Sequence, residues 1–310
     1  MIATSAGAIC SEILRSGWCI IAALLPSLVI AQSIALSFDD GFDPRGQPQA
    51  AAWNQAILDA LAAGGIKSIL FAAGERVDSP AGMLLVRDWG VAGHAVGNHT
   101  YGHRDFNATG MTLEGFIGDV ERNEKLLGRT PGWTLRLRFP YLKEGDTEVK
   151  RDAMRMWLSA HHYESGAVSI DTSDWYYDNR YAKWRGSHEG ADPAPFREAY
   201  LQHLWGRAVY YDGLSRKLLG RSAKYVILLH TRRINAEFLP DVIAMFRANG
   251  WKIISPADAY KDPLYAMKPA ILPAGESILW ALAKQAGVPH LRYPAEDDVY
   301  EKPILDGLGL

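Results

Sequence analysis

Ile34-Ala-Leu-Ser-Phe-Asp-Asp-Gly-Phe-Asp43 is a short apolar run that drives straight into two adjacent aspartates and a glycine. The run Ile34–Phe38 reads as a strand. Successive side chains of a strand point to opposite faces. Asp39 and Asp40 can therefore serve one site only if the strand ends there and Gly41 lets the chain turn. Three readings of the pair stay open: a helix N-cap with a first-turn charge, a glycosidase acid/base pair, or a ligand beside a base. Glycosidase carboxyls stand about 5–10 Å apart on two sides of a sugar, which sequence neighbours seldom manage. Capping stays open for Asp43, ahead of Pro44.

Outward from this stretch, β-rich runs alternate with helical segments. Strands are expected at Ile34–Phe38, Ile66–Ala72, His94–Asn98, Thr134–Arg138, Ala167–Ile170, Tyr225–Leu229 and Trp251–Ile254. Helices are expected near 48–63, 80–91, 112–127, 146–160 and 236–249. Ser79-Pro80 reads as an N-cap with proline at the first helical position, and Gly64-Gly65 and Gly250 read as stops. Repeated β-α units imply a mainly parallel α/β sheet, open or closed into a barrel, and periodicity does not choose between them. In either case chemistry gathers at the C-terminal ends of strands.

The chain has 310 residues, a formal net charge of −2, 48% apolar and 22% charged residues. This near-neutral balance gives no basic excess for nucleic acid and no charged tail. Trp18 to Ala31 forms an apolar stretch behind Arg15, too short for the roughly 20 residues of a spanning helix. We expect residues 1–31 to be a signal peptide cut after Ala31, with export to the periplasm or medium and no lasting membrane insertion. An uncleaved N-terminal anchor is the alternative. Cys10 and Cys19 both fall inside this leader, leaving the mature chain without a disulfide or cysteine metal site.

Nearly every expected strand delivers a polar group at its end. Asp39 and Asp40 follow the first strand, His99 and His103 the third, and Arg138-Phe-Pro-Tyr141 the fourth. Asp171-Thr-Ser-Asp-Trp175 follows the fifth, and His230 the sixth. Five such ends in succession outline a site. His99 and His103, four apart, share a face if the loop continues into a helical turn. An isolated HxxxH is more often a structural pair than a metal site. With a carboxylate from another strand end, two imidazoles and one carboxylate make a catalytic metal set with open positions. His94, His161, His162, His188, His203 and His290 fit no motif and read as structural or surface residues.

"SFDDG", "HTYGH", "RFPY", "DTSDW" and "LLH", in this order between about Ile34 and Pro256, resemble the five signature motifs of the polysaccharide deacetylases. That family is also called carbohydrate esterase family 4, or the NodB-type deacetylases. The resemblance implies an irregular, incomplete (β/α) barrel and an exported enzyme that removes acetyl groups from glycans. It implies a divalent metal, commonly zinc with cobalt or nickel as alternatives, held by Asp40, His99 and His103. It assigns Asp39 as general base, Arg138 as its orienting partner and the Tyr141 N–H to the oxyanion hole. Asp174 would tune His230, the general acid; Trp175 would wall the acetyl pocket and Leu228 would pack beside the methyl group. Trp175 also reads as a plain core residue, and Arg138 as a surface charge. The implied partner is an acetylated glycan, N-acetylated in the first reading. An O-acetyl esterase, an amidohydrolase on a small non-sugar amide and an inactive glycan-binding homologue are the alternatives.

Two positions depart from the family pattern. Leu142 stands where glycine usually follows "RxPY", and Thr231 where aspartate usually follows the last histidine. We expect residues 32–310 to form one catalytic domain, with an insertion around 176–222 and a C-terminal extension at 262–310. The insertion holds "WYYDNRYAKW" and a helical segment from Pro195 to about Gly220. It reads either as sugar-stacking subsites or a lid, or as a packed helical excursion. The tail, with a short helix at Glu276–Ala286, is placed to cover an open side of the barrel.

Overall fold

The apolar run after Ser33 forms strand β1 (Ser33–Asp40), buried from Ile34 to its end. A strand buried on both faces belongs inside a parallel sheet covered by helices. The computed structural model, which describes residues 32–293 and 297–310, places it there. The expected leader and both cysteines lie outside the described residues. The other strands are β2 (Ile69–Ala72), β3 (Ala95–Asn98), β4 (Trp133–Leu137), β5 (Lys143–Gly145), β6 (Glu164–Ser165), β7 (Lys224–His230), β8 (Lys252–Ile253) and β9 (Ala274–Gly275). The order β6-β4-β3-β2-β1-β7 is parallel throughout, and β8 pairs with the start of β1.

The helices are α1 (Ala50–Ala63), α2 (Gly74–Val77), α3 (Pro80–Val91), α4 (Leu113–Leu127), α5 (Glu148–Ala160) and α6 (Asp174–Ser187). They continue with α7 (Ala194–Leu219), α8 (Arg233–Ala248), α9 (Pro256–Ala259), α10 (Ile278–Gln285) and α11 (Asp297–Gly307). Local chemistry sets several starts. The Ser79 hydroxyl accepts from the Gly82 N–H ahead of Pro80, and Thr112 and Thr147 cap α4 and α5 in the same way. Such caps are worth about 1 kcal/mol each. Packing does the rest: Phe38, Ile57, Leu61, Trp89, Ile227 and Phe246 share one buried cluster. Each large side chain buried there contributes roughly 1.5–3 kcal/mol.

The sheet curls into an incomplete barrel whose two ends, β6 and β7, do not form a ladder with each other. The expected strand Ala167–Ile170 is not a regular strand. Its chain leaves β4, with the Gly166 N–H on the Leu137 carbonyl, and crosses the opening to touch β7 through the single bridge Ile170–Ile227. It meets β7 at that one bridge alone, so no ladder forms. The C-terminal extension covers this opening. β9 pairs antiparallel with β5, the Ser277 hydroxyl donates to the Ser169 carbonyl, and the Ile278 N–H donates to Val168.

The segment around 176–222, expected to be an insertion, folds as most of α6 and all of α7. Tyr177, Tyr181, Phe196 and Tyr200 are fully buried against α8, so their aromatic rings serve the core rather than a sugar surface. The packed-excursion reading describes them. Among the described residues, no helix is long and apolar enough to cross a membrane.

Candidate active site

Every motif singled out in the sequence ends on the same rim, at the C-terminal end of the barrel strands. β1 carries Asp39 and Asp40, whose register partners are Phe71 and Ala72 on β2 and, for Asp39, His230 on β7. Asp40 itself takes a φ of 85°, and Gly41 follows at 84°. A Cβ on Gly41 would stand 2.5 Å from Val77, so both conformation and space require glycine. The turn expected from Gly41 therefore begins one residue earlier. This left-handed step is what swings the second carboxylate to the side of the first.

Left-handed residues recur around the rim. Thr100, His103, Tyr141, Leu142 and Ser173 all have positive φ. Each such non-glycine residue costs on the order of 1–3 kcal/mol, tolerated where surrounding structure fixes it. His99 and His103 converge through a bend rather than the expected helical turn. The buried Asn98 side chain accepts the Thr100 N–H at 2.9 Å, and the Thr100 hydroxyl accepts the His103 N–H at 3.1 Å. Those two bonds pin the bend.

Asp40, His99 and His103 present ligand atoms that all lie within 4.8 Å of one another. The His99 Nδ1–H donates to the Arg138 carbonyl at 2.8 Å, which fixes the tautomer and turns the Nε2 lone pair toward the aspartates. Burial lowers His99 to about 3 and His103 to about 4, so both imidazoles are neutral near pH 7. Burial alone would raise the Asp40 carboxyl, but the charges of His230, Arg76 and the two histidines hold it below the usual carboxylate range. Its Oδ1, buried, has no hydrogen-bond donor. Two neutral imidazoles and an ionised carboxylate with an orphaned oxygen fit a divalent cation in charge, donor type and number.

Asp39 lies beside this set, its Oδ2 3.6 Å from His99 Nε2, but it is held by an arginine. Arg138 Nη1 donates to its two oxygens at 2.9 and 3.1 Å, while Arg138 Nη2 donates to the Ser37 hydroxyl at 3.1 Å. Arg138 is 1% exposed, which rules out a surface charge. Burial raises Asp39 to about 6, against the lowering pull of Arg138. A carboxyl so poised is ionised at neutral pH yet basic enough to accept a proton.

Across the rim, the His230 Nδ1–H donates to Asp174 Oδ1 at 2.6 Å. The His230 backbone N–H donates to Asp174 Oδ2 at 2.8 Å. Burial would lower the imidazole, but the Asp174 charge and hydrogen bond override it and raise His230 to about 9. Tyr141 is 59% exposed, with its ring edge-on to His103 at 4.8 Å. Trp175 is 36% exposed and therefore not a core residue. Leu228 is buried with Leu142 and Val168 in a small apolar cluster behind the rim.

Sequence reasoning missed several partners. Asn235 on α8 donates to Asp174 Oδ2 at 2.7 Å and to the His230 carbonyl at 2.8 Å, and accepts the Tyr200 hydroxyl at 2.7 Å. Arg76 and Arg232 approach Asp40 Oδ2 at 3.5 and 3.6 Å. Arg232 and Asn235 stand two and five residues past "LLH", the one signal that pointed toward them. A separate cavity of about 450 Å³, between the tail and β4, includes Arg136, Tyr163, Tyr260 and Glu276 in its lining and none of the rim residues.

Residues 29–156 match the family model described as polysaccharide deacetylase. That segment resembles a polysaccharide deacetylase domain. Among curated relatives, it is 28% identical over 143 residues to a peptidoglycan-N-acetylglucosamine deacetylase of Bacillus cereus, covering 46% of each chain. It is 32% identical over 152 residues to a chitooligosaccharide deacetylase of Sinorhizobium fredii, covering 47% of this chain and 60% of that one. The matches thus span about half to three fifths of those relatives. Among solved structures, a mutant CE4-family pseudoenzyme with restored activity superposes with a TM-score of 0.52 at 15% identity, over 74% of this chain and 68% of that one. The catalytic domain of a peptidoglycan N-acetylglucosamine deacetylase from Eubacterium rectale gives 0.50 at 17%, over 73% and 88%. These two share its incomplete barrel fold.

Proposed function

We propose that the chain is a metal-dependent hydrolase that removes acetyl groups from an N-acetylated glycan. The observation that carries this reading is the convergence of three elements on one rim: the Asp40–His99–His103 cluster, the Asp39–Arg138 pair and the Asp174–His230 pair. Asp40, His99 and His103 hold the divalent cation, zinc in the first instance. When bound, such a cation polarises the acetyl carbonyl and lowers the pKa of water from about 16 toward 7.

The chain's own residues then do the proton work. Asp39, kept in place by Arg138, takes a proton from the attacking water. The Tyr141 N–H donates to the oxyanion that forms, and a lost donor of this type costs about 3–4 kcal/mol. An amine cannot leave as an anion, so His230 supplies a proton to the nitrogen as the C–N bond breaks. The products are acetate and a free amine. Trp175 and Leu228 bound the space for the acetyl group.

Residues 32–310 act as one catalytic domain, exported after cleavage behind Ala31. N-terminal sequencing of the exported protein reads that cut. The function is tested by acetate release from chitooligosaccharides and acetylated xylan, with and without chelator. Release from the amide substrates that chelation abolishes and zinc restores supports the reading; release untouched by chelation overturns it. A preference for xylan would move the activity to O-acetyl ester hydrolysis.

A further inference from the structure

Five arginines near the rim fall into two groups. Arg138 is neutralised by Asp39, Arg45 by Asp43 at 2.8 Å, and Arg233 by Glu237 at 2.5 Å. Arg76 and Arg232 have no such carboxylate of their own. As an ion pair each reaches only Asp40 among the described residues, at 3.5 and 3.6 Å. Asp43, which also feels Arg76, is taken by Arg45, and Asp178, which feels Arg232, accepts the Ile234 N–H. The carboxylates flanking Arg76 do not serve it: Asp78 accepts the Tyr101 hydroxyl at 2.7 Å, and Glu75 forms no ion pair with it. Both arginines are partly exposed, at 36% and 24% of their side-chain surface, so an incoming ligand can meet them.

The charge at this point does not balance once Asp40 serves as a ligand. A divalent cation takes up the Asp40 charge, and two guanidinium groups remain beside it. Like charges so close repel unless an anion joins them. A neutral N-acetyl sugar offers none.

We propose that the substrate carries a negative group, a carboxylate or a phosphate close to its acetyl group, and that Arg76 and Arg232 recognise it. This rests on the deacetylase reading and narrows its substrate class. Two guanidinium forks are suited to planar or tetrahedral oxyanions, which they bind through charge-assisted hydrogen bonds. The same pair sets up reciprocal coupling: anion and cation each strengthen the other's binding at this rim.

Calorimetry on zinc-loaded protein with N-acetylglucosamine, N-acetylmuramic acid and N-acetylglucosamine 1-phosphate tests this. At least one charged sugar should bind about tenfold or more tightly than the neutral one, and which one does tells carboxylate from phosphate. In Arg232→Gln and Arg76→Gln that preference should fall toward one. Zinc affinity, measured without any sugar, should rise about threefold or more in either variant, because a competing positive charge has gone. Arg232→Lys, which keeps the charge but loses the fork, should leave an intermediate preference. Equal binding of all three sugars by the wild type, or unchanged preference and zinc affinity in both glutamine variants, overturns the proposal. Zinc-loaded protein that prefers the charged sugar but releases no acetate from any glycan would overturn the deacetylase reading and leave this one standing.

Discussion

The two flanks of the rim hold comparable chemistry in opposite states of completion. On the β1–β3 flank, Asp40 Oδ1 has no donor and two neutral imidazoles face it with their lone pairs. On the β7 flank, Asp174 is saturated by the His230 ring, the His230 N–H and Asn235, and Tyr200 completes the chain of hydrogen bonds. One flank is arranged to be finished by a ligand. The other is finished by the fold. Buried polar networks of the second kind hold geometry and protonation without help, whereas unpaired buried groups of the first kind remain costly until a partner arrives.

The comparison predicts different failures on the two flanks. Asp39→Asn should have the largest effect, lowering turnover on an amide by roughly a thousandfold or more while zinc content stays at the wild-type level. Zinc loss in that variant would mean that the two aspartates have been assigned the wrong way round. Elemental analysis beside the rate assay reads both.

Asp174→Asn should lower turnover by about a hundredfold. Its sharper signature is in the metal-free protein, where His230 titrates at about 9 rather than its ordinary 6.5. Without the Asp174 charge and hydrogen bond, burial is opposed only by the Asp40 and Asp39 charges, and the pKa should fall well below 9. The linkage sign follows from the raised value. His230 contributes stability in full below pH 6.5, and loses it as pH rises through about 9. Denaturant midpoints should therefore drop between those values in the wild type and drop less in the variant. NMR titration of the ring gives the pKa directly.

Asn235→Ala should slow amide hydrolysis about tenfold through a misplaced Asp174, and should slow an activated aryl acetate much less. A phenolate that leaves readily does not need the acid. Equal losses on both substrates would reduce Asn235 to a packing role.

Leu142→Gly should show the smallest effect. Leucine at φ 57° carries about 1–2 kcal/mol of backbone cost that glycine would relieve. Removing its buried side chain costs about 2–5 kcal/mol. The net loss in a denaturant titration should be about 1–2 kcal/mol, well under that of an ordinary buried leucine.

The β1–β3 flank was almost wholly legible in the sequence. Its residues sit in short motifs, each at the end of an apolar run, so chain order alone delivers them to one rim. The local shape was less so. A bend with Thr100 and His103 in left-handed conformations replaces the expected helical turn, because Asn98, held by Val120, Tyr163 and Asn123, presents its side-chain oxygen to the Thr100 N–H. The β7 flank was half legible. Asp174 and His230 stood in motifs, but Tyr200 and Asn235 meet across 35 residues and Asn235 and Asp174 across 61. No periodicity marks a side chain as the partner of one so distant. The strand expected at Ala167–Ile170 failed for a related reason: β-branched composition was present, but the segment meets β7 at one bridge alone.

The tail makes one more difference. β9 lies so close to the segment behind Tyr141 that a Cβ on Gly275 would stand 2.0 Å from the Leu142 carbonyl, and the Glu276 N–H donates to that carbonyl at 2.8 Å. The loop that presents the Tyr141 N–H is thus braced by chain made some 130 residues later, a separation that follows from Leu142 and Gly275. During synthesis, the barrel and the Asp40–His99–His103 cluster can assemble while this loop still lacks its antiparallel partner. The loop is therefore braced only once residues 274–276 have been made.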